Sequence, residues 1–329
     1  MPVADSVRWY RVGDGHFGLQ SDDAPLRERV QELYGECVGP APAPHDRLPR
    51  LHCAVRLSDR SALVTFDDPE PIDAIAFALA VFPDRGYAES RSPFSDWRLF
   101  GTAGEFASSG PHIVADRRTA WQGFIGNLAI NRLLRLQHDV VFFHAAATLA
   151  GERGVLLMGP KGSGKTTLSL ALAALGHSFL GDELIGIRLP SDELVPVRRS
   201  ATIKPGPAAA AVAAALAGVP TVTEQFPDGS VRRRVPASRL FSPGTPRAPH
   251  RLAAIIFLEP FAAAPRIARL DPTRGDIGRL TPLASSLWGL APERRAMDLA
   301  SLLSRIPCYL LRPGHPDETA PLIAQTVEE

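Results

Sequence analysis

The segment from Gly159 to Thr166 has the residue types and the spacing of a phosphate-binding loop. Its sequence, Gly-Pro-Lys-Gly-Ser-Gly-Lys-Thr, matches the pattern G-x-x-x-x-G-K-[ST] at every fixed position. Glycines let backbone amides turn inward around an anion, the lysine adds a positive charge for the terminal phosphates, and the threonine hydroxyl can ligate Mg²⁺. The alternative is an ordinary glycine-rich turn before a helix. The motif favours a nucleoside triphosphate as ligand, held by Gly159, Lys161, Gly162, Ser163, Gly164, Lys165, Thr166 and Thr167.

An acidic pair, Asp182 and Glu183, follows the loop at a spacing that suits phosphoryl transfer. A strand predicted over residues 177–181 would end at the same sheet edge as the phosphate loop, so both carboxylates would lie near the terminal phosphate. Mg²⁺ prefers one or two carboxylates together with phosphate oxygens and water. A carboxylate in this place can also accept the proton of an attacking hydroxyl. We therefore predict a metal site of Thr166, Asp182 and Glu183, with Asp182 also a catalytic base; a solvated acidic turn is the alternative.

Lysine is rare in this chain, so the positions that keep it are informative. Only three of the 36 lysine and arginine residues are lysines, namely Lys161, Lys165 and Lys204. An ammonium is a compact point charge that a planar guanidinium does not replace. We expect Lys165 to act in catalysis and Lys204 to contact phosphates, with an ordinary surface lysine as the alternative for Lys204.

These residues together resemble the P-loop kinase domain of the HPr kinase/phosphorylase family. The resemblance covers residues 144–187 and rests on the pair His144-Ala145, the phosphate loop, the pair Gly176-His177 and the acidic pair that follows so soon. A lone histidine on an apolar strand is ordinarily a core residue. Because the phosphate loop and the acidic pair follow His144, we interpret it as a residue of the active site. The kinase core of the family is also similar to that of ATP-dependent phosphoenolpyruvate carboxykinase.

The resemblance implies a role for each matching residue. Asp182 takes the position of the catalytic base toward the substrate hydroxyl, His144 acts beside it, and Thr166 and Glu183 take metal-binding positions. The family usually has a second aspartate where this chain has Glu183, whose longer carboxylate can still reach a metal. The phosphorylase signature of the family is missing, and residues 196–207 stand in its place, which argues against dephosphorylation.

The chain resembles divergent HPr-kinase-like proteins more than the bifunctional enzyme, and some of these divergent proteins phosphorylate a serine of a natural-product precursor peptide. That subgroup typically keeps a Leu-Lys or Ile-Lys pair after the acidic turn, and Ile203-Lys204 fits this pattern. The resemblance implies a peptide or protein with an acceptor serine as partner, and a precursor peptide is one candidate. The basic run Arg232–Arg234 is either a solvated face or an arm for an acidic substrate.

The elements that must position this chemistry follow from hydrophobic periodicity and turn residues. A buried strand over 154–158 leads into the phosphate loop, a helix over 166–175 leads out, and Gly176 ends it. Further predicted elements are helices over 22–34, 121–136, 207–217, 291–304 and 317–327, and strands over 51–57, 61–66, 140–149, 252–258 and 309–311. Residues 72–82 suit a helix or a strand, and 223–250 suggest a mobile arm.

The predicted fold class is α/β: a P-loop kinase core of the HPr kinase/phosphoenolpyruvate carboxykinase type with an N-terminal α+β accessory region. The accessory region spans residues 1–115 and the catalytic domain residues 116–329.

The composition of the chain excludes some classes of function. The 329 residues include 36 basic and 35 acidic side chains, a net charge of +1 that gives no reason to expect nucleic-acid binding. Three cysteines suit a reducing compartment, and the absence of a long apolar run or export signal predicts a cytoplasmic protein without a membrane partner.

The leading hypothesis is an ATP- and Mg²⁺-dependent kinase that transfers the γ-phosphoryl group to a hydroxyl, most simply a serine of a peptide or protein. Two alternatives remain open at this point: a kinase of a free small molecule, and a nucleotide-binding sensor or assembly module that transfers nothing. No base-reading motif distinguishes ATP from GTP or pyrophosphate, and the oligomeric state is open, a homo-oligomer included.

Overall fold

The protein is described here by a computed structural model, which covers residues 6–68, 88–92, 95–101, 104–109, 112–119, 121–203, 212, 216, 218–225, 231–240, 250–273, 275–276, 278 and 292–328. The chain divides into two compact units, Met1–His138 and Asp139–Glu329. The sequence analysis predicts the boundary at 115/116, which assigns the helix at 121–136 to the second domain. In the structure this helix belongs to the first unit. The functional division into accessory and catalytic parts stays a prediction.

The first unit contains a nine-stranded sheet and two α-helices among its described residues. Its elements are β1 (Arg8–Val12), β2 (Gly15–Ser21), α1 (Ala24–Tyr34), β3 (Val38–Gly39), β4 (Arg50–Leu57), β5 (Ser61–Phe66), β6 (Ala88–Ser92), β7 (Ser95–Gly101), β8 (Gly104–Ser109), β9 (His112–Asp116) and α2 (Gln122–Arg135). The strand order is β3-β1-β2-β4-β5-β9-β8-β7-β6. Neighbours pair antiparallel except β2 and β4, which are parallel and are connected through α1.

Local sequence explains the first helix. Asp23 caps α1 by accepting a hydrogen bond from the amide of Leu26 at 2.8 Å, and Pro25 lies in the first turn, where its missing N–H costs nothing. Helical spacing then buries Leu26, Val30 and Leu33 on one face. The predicted helix at 22–34 and the predicted strand pair at 51–57 and 61–66 are confirmed. Residues 72–82 lie outside the described part of the chain.

The second unit is built on a larger mixed sheet. Its elements are β10 (Val140–Phe143), β11 (Ala145–Ala150), β12 (Arg153–Met158), α3 (Lys165–Ala174), β13 (Ser178–Gly181), β14 (Ile185–Arg188), β15 (Glu193–Pro196), β16 (Ala201–Ile203), β17 (Val222–Gln225), β18 (Val231–Val235), α4 (Ala237–Leu240), β19 (His250–Leu258), β20 (Arg266–Leu270), α5 (Pro292–Arg305), β21 (Cys308–Arg312) and α6 (Pro316–Glu328). The main path runs β10-β14-β15-β19-β12-β11-β13, with β21 beside β19 and β20 beside β21. The fold is therefore mixed α/β.

Both faces of this sheet are covered. One apolar cluster joins β12 and β19 to α3 and α6, and includes Leu168 and Ile323. A second cluster joins the sheet to α5, and includes Leu299 and Leu302. Burial on both faces explains why β11 and β12 are nearly continuous apolar runs in the sequence.

Three sequence expectations change in this unit. The strand predicted over 140–149, with an interruption at His144, is two strands, β10 and β11, which His144 separates and which occupy different places in the sheet. Within the segment expected to be a mobile arm, the described residues fall mainly in β17, β18 and α4, and β17 and β18 form a three-stranded sheet with β16. The helix predicted over 207–217 falls mostly outside the described residues. The helices and the strand predicted near the C-terminus are confirmed as α5, β21 and α6.

Among the described residues, no helix has both the length and the apolar character that a membrane crossing needs.

Candidate active site

Three strand ends meet at one edge of the second sheet. Strand β11 runs antiparallel to both of its neighbours, pairing Ala145 with Met158 of β12 and Ala147 with Gly181 of β13. The start of β11 therefore lies beside the carboxyl ends of β12 and β13. His144 precedes β11, the phosphate loop follows β12, and Asp182 follows β13. The spacing in the sequence predicted this shared edge for the loop and the acidic pair, and the strand register places them there.

The phosphate loop has the backbone conformation that its glycines allow. Gly162 and Gly164 have φ angles of 91° and 94°, in the left-handed region that side-chain-bearing residues rarely adopt. Gly164 precedes α3 and provides no side-chain cap, so the first amides of that helix are left for an anion. Gly159 is needed for a different reason: a Cβ there would lie 2.6 Å from Oγ of Ser163. The Ser163 hydroxyl is itself buried and has no partner among the described residues.

Lys165 is buried and turned back onto its own loop. Its Nζ donates hydrogen bonds to the carbonyl oxygens of Gly159 at 2.7 Å and Pro160 at 3.1 Å. A bound polyphosphate would compete with these carbonyl oxygens for the same donor. Lys161 is exposed at the tip of the loop, and Thr167 is half-buried in the first turn of α3.

Asp182 is the buried carboxylate of the site. It is 1% exposed, and its Oδ2 accepts a hydrogen bond from the Thr166 hydroxyl at 2.7 Å. Its other oxygen, Oδ1, is buried and has no hydrogen-bond partner among the described residues. Burial, reinforced by the charge of Glu183, raises the pKa of Asp182 to about 6, against the opposing effects of Thr166 and Lys165. Such a group is poised to exchange a proton near neutral pH.

Glu183 adjoins Asp182 but occupies a different electrostatic environment. Its φ of 66° is a left-handed conformation, which is uncommon for a residue with a side chain. Its carboxylate pairs with Nη1 of Arg199 at 3.3 Å. Burial by itself would raise the pKa of Glu183, but Arg199, His144 and Arg234 together lower it below its usual value. Glu183 therefore ionises more readily than Asp182.

His144 is held neutral at the same edge. Burial lowers the pKa of His144 to about 4, and the positive charges of Lys165 and Arg199 act in the same direction, while Glu183 opposes them. Glu183 is therefore the acidic group with the clearest electrostatic effect on the pKa of His144. The functional role of His144 stays a prediction.

Two arginines complete the charge pattern, and the sequence analysis did not assign either of them to the site. Arg199 follows β15, and Arg234 lies on β18, where it donates to the Ser200 hydroxyl at 2.9 Å and pairs with Glu224 at 2.5 Å. Pairing of β16 with β18 brings Arg234 beside the Arg199-Ser200 segment. The sequence contained only a weak signal, the basic run Arg232–Arg234. Lys204 lies outside the described residues.

The chemistry of these donors fits a single Mg²⁺. Thr166 supplies a hydroxyl, and Asp182 supplies a buried carboxylate oxygen that has no hydrogen-bond partner. In the described part of the chain there is no group of three or more His, Cys, Asp or Glu residues of the kind that binds a metal by itself. Mg²⁺ does not require one, since it commonly takes one or two carboxylates and completes its shell with phosphate oxygens and water. Glu183 is directed to Arg199, so its participation would require that ion pair to open.

Comparisons with known proteins find similarity to solved structures only. No protein-family model matches the chain, and no curated protein matches it. The solved structures that match include the HPr(Ser) kinase/phosphatase from Coxiella burnetii, with 16% sequence identity, a TM-score of 0.28, and coverage of 57% of this chain and 93% of that one. At this level of similarity, the function has to be inferred from the chain's own residues.

Proposed function

We propose that this protein is a Mg²⁺-dependent kinase with a P-loop core of the HPr kinase type, which transfers the γ-phosphoryl group of ATP to the hydroxyl of a serine in a peptide or protein. The observation that carries the proposal is the meeting of the phosphate loop and Asp182 at one sheet edge, with Thr166 hydrogen-bonded to Asp182. A nucleotide-binding protein without transfer has no evident need for a buried carboxylate whose pKa is raised to about 6.

The roles of the residues follow from their positions. The loop amides and Lys165 hold the β- and γ-phosphates and offset the charge that develops on them. Mg²⁺, held by Thr166 and Asp182, would neutralise further phosphate charge. The serine oxygen forms a bond to the γ-phosphorus, the bond from that phosphorus to the β,γ-bridging oxygen breaks, and ADP leaves. Asp182, at the end of the strand beside the phosphate loop, takes the proton of the serine hydroxyl as a positioned general base.

Phosphate transfer from labelled ATP tests this proposal. The full chain is incubated with Mg²⁺, γ-labelled ATP and a library of serine-containing peptides, and products are identified by mass spectrometry. Asp182→Asn is expected to reduce transfer at least about 100-fold while leaving the affinity for ATP without Mg²⁺ nearly unchanged, since the loss of a catalytic base typically costs about 10²–10⁴-fold. Near-normal transfer by Asp182→Asn would refute the assigned role.

The same experiment separates the remaining alternatives. Phosphorylated metabolites without phosphorylated peptides would indicate a small-molecule kinase. Nucleotide binding without any transfer by the wild-type protein would indicate a sensor or assembly module.

A further inference from the structure

Phe261 is an exposed aromatic side chain beside the phosphate loop. Its relative exposure is 54%, and it is the only aromatic among the large hydrophobic side chains that are exposed in the described part of the chain. A Cβ added to Gly164 would lie 3.0 Å from Cζ of Phe261, so the ring lies against the residue that precedes Lys165. Exposing an aromatic ring forfeits the apolar burial that would otherwise stabilise the fold.

The segment that carries Phe261 is fixed to the sheet on both sides of the ring. The amide of Glu259 donates to the carbonyl of Leu311 at 2.8 Å, and the amide of Ala262 donates to the carbonyl of Pro313 at 2.9 Å. Gly314 packs so closely that a Cβ there would lie 2.9 Å from the backbone nitrogen of Pro265. The ring is therefore presented from a segment with ordered backbone contacts.

The strand register explains why the ring and the phosphate loop are neighbours. Strand β19 runs parallel to β12, and Phe257 pairs with Met158, so the residues after both strands emerge at the same edge. A nucleotide whose phosphates occupy the loop carries its nucleoside on the α-phosphate, and the nucleoside must lie within reach of this edge. Every base has a π-face that stacks on an aromatic ring, whichever hydrogen-bonding groups it carries.

We propose that Phe261 is a base-stacking residue, which holds the nucleobase of the phosphoryl donor beside the phosphate loop. This inference rests on the proposed function, because it assumes a nucleotide at that loop. Stacking does not read hydrogen-bonding edges, so ATP and GTP gain similar affinity from the ring. Inorganic tripolyphosphate, which has no base, gains none.

Isothermal titration of the full chain with Mg²⁺-ATP, Mg²⁺-GTP and Mg²⁺-tripolyphosphate tests the inference. Phe261→Leu keeps an apolar side chain and removes the aromatic face, whereas Phe261→Trp keeps a face. Leu175→Ala is the matched control. Leu175 is 52% exposed, as Phe261 nearly is, but it lies at the C-terminal end of α3, whereas the phosphate loop precedes the N-terminal end. Circular dichroism and the melting temperature establish that each variant is folded.

Phe261→Leu is expected to weaken ATP and GTP binding about 5- to 100-fold and tripolyphosphate binding less than about two-fold, given the usual strength of base–aromatic stacking. Phe261→Trp and Leu175→Ala should bind all three ligands like the wild type. An unchanged nucleotide affinity in Phe261→Leu, an equal loss for tripolyphosphate, or an effect confined to the peptide acceptor would overturn the inference while leaving the kinase proposal standing. A wild-type protein that binds no ligand of the three would refute both.

Discussion

Asp182 has the features of a residue kept for chemistry at a cost in stability. A buried carboxylate is destabilised in its charged form, and the described structure leaves its Oδ1 without a hydrogen-bond donor. The pKa of Asp182 is raised to about 6 mainly by burial, so the carboxylate is ionised at pH 7 against an electrostatic penalty. Active sites often contain such unfavourable groups, and their removal tends to stabilise the fold.

Asp182→Asn is therefore expected to stabilise the ligand-free protein at neutral pH. The pKa rises from 3.8 in the unfolded chain to about 6 in the folded one, so the folded state binds the proton more tightly and stability falls as pH rises between these values. At pH 7.5 the substitution should add on the order of 1–3 kcal/mol to the free energy of unfolding. Near pH 4, where Asp182 is largely protonated in the folded state, the gain should nearly vanish. Urea unfolding of both proteins at the two pH values measures the difference, and a constant gain would contradict this explanation.

His144 should make the protein sensitive to acid. Its pKa falls from 6.5 in the unfolded chain to about 4 in the folded one, chiefly through burial, so the unfolded state binds more protons in this range. Stability is unaffected by His144 above pH 6.5 and declines as pH falls toward 4. His144→Gln removes this effect. We expect the variant to lose less stability than the wild type between pH 7 and pH 4.5, as measured by thermal melting, whereas His138→Gln, at an exposed turn, should follow the wild-type profile.

At the scale of the element, the glycines of the phosphate loop have separable roles. Gly162 and Gly164 both need a positive φ, but a Cβ at Gly162 meets nothing within 4 Å, while one at Gly164 meets Phe261. Gly162→Ala therefore tests the backbone conformation alone. The left-handed conformation should cost an alanine at this position about 1–2 kcal/mol. We expect both alanine variants to weaken nucleotide binding in equilibrium titrations, with Gly164→Ala the more severe. Gly123→Ala, in an open helical position of α2, should bind nucleotide normally and be slightly more stable.

The sequence predicted the parts of the site that are formed by elements consecutive in the chain. A strand, a glycine-rich turn and a helix follow one another directly from residue 153 to residue 174, so their hydrophobic pattern and glycines suffice to identify the loop. Asp182 was predicted for the same reason, because it ends the strand that follows this helix. The phosphate loop and Asp182 can therefore be identified without knowing which distant strands pair.

The missed residues depend on pairing between distant segments. Arg199 meets Glu183 only because the chain returns after β15, and Arg234 meets Ser200 only through the pairing of β16 with β18. Residues 223–250 contain many Pro, Gly and Arg residues, which is why their sequence suggested a mobile arm. Periodicity likewise predicted the hairpin of β4 and β5 but carries no information on the order of nine strands.

At the scale of the whole molecule, each unit has its own buried core. Tyr10, Phe17 and Phe106 are buried in the first unit, and the clusters around Leu156 and Leu157 lie in the second. All the described residues that we assign to nucleotide binding belong to Asp139–Glu329. A bound ligand shifts the folding equilibrium of the unit that holds it. Ligand binding can therefore distinguish the unfolding of the two units.

Mg²⁺-ATP should shift the melting of one unit and not of the other. At a concentration 100 times its Kd, a ligand stabilises the folded state by about 2.7 kcal/mol, which raises the Tm of a unit of this size by roughly 5–10 °C. Trp9, Trp97 and Trp121, three of the four tryptophans, lie in Met1–His138, so tryptophan fluorescence reports mainly on the first unit, whereas calorimetry detects both. We expect ATP to move a calorimetric transition that the fluorescence does not follow, and Lys165→Met to abolish the shift. A single transition that shifts in both measurements would contradict this prediction. It would mean that the two units unfold together although each has its own core.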